Sequence, residues 1–268
     1  MIFKNEKELF DLCKIEITDG KVEIKDLALF KEQAVDYLID TLVLHPSIRL
    51  KKTCYWVVYE AAKKFGIVPS SIQNLYEARA KDNLVHFSVP AINLRTLTYD
   101  SAKAVFRAAK KINATAFLFE IARSEIDYTG QRPQEYSSSI ILAAIKEGFS
   151  GPVFIQGDHF QINTKNFLQD RDREIDQLQD LISEAIDAGF YNIDIDSSTL
   201  VDLSEPTVKK QQKLNYEVCA LFTKFIRKLQ PEGMDISIGG EIGEVGGKNS
   251  TPEDLFAFME GYVSGIQG

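Results

Sequence analysis

Residues 151–198 read GPVFIQGDHFQINTKNFLQDRDREIDQLQDLISEAIDAGFYNIDIDSS. The stretch opens on a short apolar run, Pro152–Ile155, and closes near a second, Tyr191–Ile195. Between them Ile175, Leu178, Ile182 and Ile186 recur at the spacing of one helix face. Two short apolar runs joined by an amphipathic helix make a β–α–β unit with parallel strands. The same rhythm extends outward, with further runs at Val85–Ile92, Ala114–Phe119 and Met234–Ile238. Ala102, Val105, Phe106 and Ala109 mark one connecting helix; Val218, Leu221, Phe222, Phe225 and Leu229 mark another. A last helix starts at Thr251-Pro252-Glu253-Asp254, where threonine caps, proline suits the first turn and two acids favour the dipole. Leu255, Phe258, Met259 and Tyr262 are its expected buried stripe.

Repeated β–α units leave two architectures, an open doubly wound sheet and a (β/α)8 barrel. Five runs alone favour the open sheet. Residues 1–83 have a different, mostly helical texture. Val35, Leu38, Ile39 and Leu42 share a helical face that ends at His45-Pro46. Val58, Ala61, Ala62 and Phe65 define a second helix over about 51–65, stopped by Gly66, and Ile72 and Leu75 suggest a short third. The expected organisation is therefore a helical N-terminal region, 1–83, and a β/α region, 84–268.

Composition narrows the function. The chain has 268 residues and a net charge of −8, with a pI near 5.1. This balance argues against a general nucleic-acid binder, which needs a basic face. Cys13, Cys54 and Cys219 form no CxxC pair and read as reduced, packed thiols. The opening MIFKNEKELF carries charges where a signal peptide is apolar, and no run of about 18 apolar residues exists. A cytoplasmic protein without a membrane partner is expected. No GxSxG elbow is present. No lysine falls in the five runs, which weakens Schiff-base chemistry.

In parallel α/β folds the active site lies beyond the carboxyl ends of the strands. The runs are followed by Asn93, by Glu120-Ile121-Ala122-Arg123, by Asp158-His159, by Asp194-Ile195-Asp196-Ser197-Ser198 and by Gly239-Gly240-Glu241. Asp158-His159 is the sharpest pair. The imidazole can ligate a divalent metal while the carboxylate moves a proton, or both can cap the next helix. Asp196 and Glu241 taken singly are as readily caps or solvated groups. The run Gly239–Gly247 allows close backbone approach to an anion. Arg123 reads as an anion contact or a surface charge, the acidic run Asp170–Glu174 as a helix start with a solvated face, and His45 and His86 as structural.

Val89-Pro90-Ala91-Ile92-Asn93, Gly157-Asp158-His159, Asp187-Ala188-Gly189-Phe190 with Ile195-Asp196-Ser197-Ser198, and Gly240-Glu241-Ile242-Gly243-Glu244-Val245-Gly246-Gly247 follow one another in order. This series resembles the metal-dependent, class II ketose-bisphosphate aldolases over about residues 88–260. The resemblance implies a (β/α)8 barrel, represented here by about five βα units with the last strands missing, and so reverses the choice made by strand count. It implies zinc, or another divalent metal, held by His159, Asp196 and Glu241. It assigns proton transfer to Asp158 and a place near a substrate phosphate to Asn93. The implied reaction is reversible cleavage of a ketose bisphosphate to dihydroxyacetone phosphate and an aldehyde. The family supplies two further histidine ligands after the glycine-rich loop, whereas this chain has no histidine after His159. The isolated chain is therefore expected to be poorly active. Glu120-Ile121-Ala122 stands where the family often has a small hydroxyl residue, and resembles the non-catalytic barrel subunit of tagatose-bisphosphate aldolase, the alternative reading. Open parallel edges imply self-association, so a homo-oligomer acting on a sugar phosphate is the expected assembly.

Overall fold

The computed structural model describes residues 1–81, 87–243 and 248–267. Its larger sheet holds β3 (Ile67–Pro69), β4 (Ala91–Asn93), β5 (Leu118–Ala122), β6 (Gly151–Gln161), β7 (Asn192–Asp196) and β8 (Ser237–Gly240). The strands run in the order β4-β5-β6-β7-β8, with β3 joined to the start of β6. Pairing is parallel where Ile67 meets Gly151, where Gln156 meets Asn192 and where Asn192 meets Ser237. The architecture is mixed α/β with successive βα units, a partial barrel that does not close among the described residues.

Chain contacts divide the molecule into two compact units. The first comprises Met1–Ser70, Val89–Phe119 and Glu125–Val153; the second comprises Ser71–Ser88, Glu120–Ser124 and Phe154–Gly268. In the first unit, helices Val35–Leu44, Ile48–Lys64 and Thr98–Ile112 pack on the helix Pro133–Glu147. That central helix is buried from Tyr136 to Ile145 on every side. Two of its three consecutive serines find side-chain partners: Ser139 Oγ donates to Glu135 O at 2.7 Å, and Ser137 Oγ accepts from Tyr59 at 2.9 Å, whereas buried Ser138 Oγ has none among the described residues. Beside it lies an aromatic cluster, with Phe106 centred 5.2 Å from Phe119 and 4.9 Å from Phe149. Phe106→Ala should cost ~3–5 kcal/mol, because the surrounding rings cannot collapse into the space. Urea unfolding would show this as a lower midpoint with an unchanged slope.

Several sequence expectations shift. The N-terminal region contains an antiparallel hairpin, β1 (Ile15–Thr18) and β2 (Lys21–Ile24), as well as its helices. Asp19 and Gly20, both at positive φ, form its turn, a signal that the alternating IEIT and KVEI flanks already carried. β3, which precedes residue 83, pairs with β6, which follows it. The runs Ala114–Phe119 and Met234–Ile238 give strands displaced toward their C-terminal ends, and the sheet continues through the polar residues after them. Of the Val85–Ile92 run, Val85 and His86 lie outside the described residues, as do Glu244–Gly247 of the glycine-rich loop. The three cysteines are free and buried. No helix among the described residues is long and apolar enough to cross a membrane.

In the second unit the helix Arg171–Asp187 buries Ile175, Leu178, Ile182 and Ile186 as its spacing predicts. The final helix, Pro252–Gln267, begins with a reciprocal cap: Asp254 Oδ2 accepts from Thr251 N at 2.8 Å, and Thr251 Oγ1 accepts from Asp254 N at 3.3 Å. Its buried face differs from the expected stripe. Phe258 and Gly261 are buried, whereas Leu255 and Met259 are exposed. The cause is close packing through glycine: a Cβ at Gly261 would sit 2.5 Å from the Tyr216 ring, which turns the helix onto its small-residue side.

Candidate metal centre

The site begins with a break in register. Along β6 and β7, Gly157 pairs with Ile193, but the next pair is Phe160 with Ile195. Two residues, Asp158 and His159, thus stand opposite one, Asp194. This is a β-bulge, a device that re-aims side chains beside functional sites. His159 takes the strain, with φ at +41° in the left-handed region that non-glycine residues seldom occupy. The neighbouring residues explain why the chain folds this way. Phe160 is fully buried and its ring lies across Gly157, where a Cβ would come within 2.5 Å of it. Glycine admits the ring, the ring anchors the strand, and the two polar residues between them bulge out.

The ligand atoms of Asp158, His159 and Asp194 all lie within 4.8 Å of one another. His159 Nε2 is 3.5 Å from Asp158 Oδ1. On the other side of the ring, Nδ1 is 3.5 Å from Asp196 Oδ2 and 4.0 Å from Glu241 Oε1. Asp194 finds room for its carboxylate against Gly239 of β8, where any Cβ would collide with it. Asp196 is buried and heavily committed. Its Oδ1 accepts from Ser198 N at 3.1 Å and Ser198 Oγ at 2.6 Å, and its Oδ2 accepts from Gln161 Nε2. The helix Lys213–Leu229 secures the far wall. Asn215 Nδ2 donates to Glu241 O at 2.8 Å, and Gln212, just before the helix, donates to Ile242 O at 2.8 Å.

Electrostatics marks this cluster as short of positive charge. Burial and the neighbouring Glu241, reinforced by Asp158 and Asp196, push Asp194 up to about 7 against the pull of His159. Glu241 is raised by burial and by Asp196. Burial alone would lower His159, yet Asp158, Asp194 and Asp196 together hold it above the usual imidazole value. Carboxylates that retain protons because they repel one another are relieved by a cation. Carboxylate and imidazole donors this close are of the types that a divalent metal such as zinc, manganese or iron takes.

Of the residues singled out from sequence, Asp158, His159, Asp196 and Glu241 come together here. Asn93 belongs to the first unit. There its Nδ2 donates to Glu125 Oε2 at 2.8 Å and its Oδ1 accepts from Arg95 at 3.2 Å. Sequence reading quoted Asp194 but gave it no role, although positions 194 and 196 share one face of a strand. It also missed Gln161 and Asn215, whose parts depend on contacts distant in sequence. Two readings are corrected. Glu174, taken for part of a solvated helix start, is buried, and Arg123 pairs with it at 2.6 Å rather than standing as a free surface charge.

A parallel βα sheet with acidic and imidazole donors at its strand ends defines a protein of the partial-barrel class with a group of side chains that could hold a metal ion. Residues 73–263 match the family described as fructose-bisphosphate aldolase class-II, and the chain belongs to that family. Class II aldolases are metal-dependent carbon–carbon lyases. No individually curated protein matches the chain.

Proposed function

We propose that the protein is a metal-dependent aldolase that cleaves a ketose bisphosphate, of the fructose or tagatose type, to dihydroxyacetone phosphate and an aldehyde. The observation that carries the reading is the convergence of Asp158, His159 and Asp194 at one bulge, with Glu241 and Asp196 beside them. His159 through Nε2, with Asp194, would hold the divalent ion, zinc in the first instance, while Glu241 stands on the Nδ1 side of the ring. A bound divalent ion supplies Lewis acidity toward the ketone oxygen. Asp196, read from sequence as a further metal carboxylate, takes the Nδ1 side of the ring and fixes its orientation. Asp158 exchanges the proton of the substrate hydroxyl next to the breaking bond. The Asp158 carboxylate is only partly exposed there.

The test is triose phosphate release from fructose or tagatose 1,6-bisphosphate by zinc-loaded protein, with loss on chelation. His159→Ala should bind Co²⁺ at least ~10–100-fold more weakly in a visible-absorption titration, since it removes the one imidazole that the described residues bring to the site. Retention of the metal by this variant would overturn the ligand assignment. A non-catalytic barrel subunit is the second reading. It is favoured by the single imidazole among the described residues of the site and by Glu120, which accepts from Gln156 Nε2 at 3.2 Å within the sheet. That reading expects no stoichiometric metal and no cleavage under any condition.

A further inference from the structure

Outside the metal cluster, the second unit buries a hydrogen-bonded carboxylate, Glu174, in the first turn of the helix Arg171–Asp187. Its side chain is wholly shielded from solvent. Oε1 accepts from Arg123 Nη1 at 2.6 Å and from Asn163 N at 2.9 Å, and Oε2 accepts from Asn166 Nδ2 at 3.3 Å. The same Arg123 Nη1 donates to the backbone carbonyl of Gln161 at 2.7 Å. Gln161 closes β6, two residues beyond the bulge, and its own side chain donates to Asp196 Oδ2. That carboxylate oxygen is the one facing His159 Nδ1. A chain of contacts therefore leads from the Arg123–Glu174 ion pair through Gln161 and Asp196 to the His159 ring.

We infer that Arg123 and Glu174 are positioning residues: they clamp the end of β6 so that Gln161 holds Asp196 against Nδ1 of His159, leaving Nε2 turned to the metal side. The inference rests on the metal-centre reading above. Its physical basis is twofold. A buried ion pair adds little net stability over an apolar pair of similar volume, so its presence calls for a positional reason. A histidine at positive φ keeps its ring orientation only if the surroundings over-determine it. The partners that orient a ligating imidazole typically alter metal affinity by 10–100-fold when removed.

The experiment reads the ring directly, without metal. Long-range ¹H–¹⁵N spectra of the full chain at pH 9 report the imidazole tautomer, with His159→Gln assigning the signal. The wild-type ring is expected to be mainly the Nδ1–H tautomer, with Asp158, 3.5 Å from Nε2, as the competing acceptor. Gln161→Ala, at an exposed position that leaves the ion pair intact, should give a tautomer mixture. Arg123→Met combined with Glu174→Leu removes both charges together, so no buried charge is stranded, and should give the same mixture. Arg123→Lys should restore the wild-type signal, because one Nη1 makes both bonds and one ammonium can replace it. Co²⁺ affinity should fall ~10–100-fold in the first two variants and recover in the third. A wild-type tautomer in both Gln161→Ala and the paired variant would overturn the inference. Wild-type protein that shows the Nδ1–H tautomer but binds no Co²⁺ would instead sink the metal-centre reading and leave the clamp standing.

Discussion

Asp158→Asn is expected to lower the rate of ketose bisphosphate cleavage by ~10²–10⁴-fold while the metal stays bound, because a positioned acid–base group contributes on that scale. Asparagine keeps the shape and hydrogen-bonding capacity of the side chain but cannot take up or release a proton. Asp158 meets His159 on its Nε2 side at 3.5 Å, so its carboxylate stands at the edge of the donor set, next to where a reacting hydroxyl would be held. The fall should appear in kcat with little change in KM, the mark of a group used in the transition state rather than in binding. Co²⁺ affinity is the companion measurement. If Asp158→Asn loses Co²⁺ as completely as His159→Ala does, Asp158 is a ligand and the proton must be moved by another group, with Glu241, 4.0 Å from His159 Nδ1, the next candidate.

The separation of these two roles shows where sequence reading reaches its limit. The order of strands and helices was legible because apolar spacing is a local property; Ile175, Leu178, Ile182 and Ile186 are buried together on one helix face as that spacing requires. Asp158 and His159 were legible as a pair because they follow an apolar run, where α/β folds place their chemistry. The bulge was not. Strict alternation would send Asp158 and His159 to opposite faces, and only the Phe160 ring folding over Gly157 brings both beside Asp194. Asp194 was overlooked for a related reason. Its importance depends on Gly239, a residue 45 positions away that yields the space for its carboxylate. Arg123 and Glu174 show the converse error. Charged residues in a loop and in a first helical turn look solvated in sequence, and only the long-range pairing of 123 with 174 removes them from water. The β1–β2 hairpin, by contrast, was written in plain local chemistry at Asp19-Gly20 and was passed over because helical spacing dominates the residues around it.

Asp194 carries the clearest consequence for pH. Its carboxyl is raised to about 7 in the metal-free fold, against an ordinary value of 3.8. Between these values the folded protein holds a proton that the unfolded chain has released, so stability falls as pH rises from about 4 to about 7 and then levels off. Asp194→Asn removes the penalty. The metal-free variant should match wild type near pH 4 and exceed it at pH 8 by about 2–4 kcal/mol, read as urea midpoints at the two pH values. Divalent metal should have the opposite pattern. A cation binds the ionised carboxylate, so wild-type affinity should strengthen by ~10-fold per pH unit for each proton displaced and approach a plateau above pH 8. Glu241 and His159 are also raised and must also lose protons, so the wild-type slope should exceed one between pH 6 and 7. In Asp194→Asn the slope should drop by about one proton and the metal-induced gain in stability at pH 8 should largely vanish. A variant that is less stable than wild type at pH 8 without metal would mean that Asp194 is held by a favourable contact rather than by repulsion, and the acidic cluster would then have no unmet need for a cation.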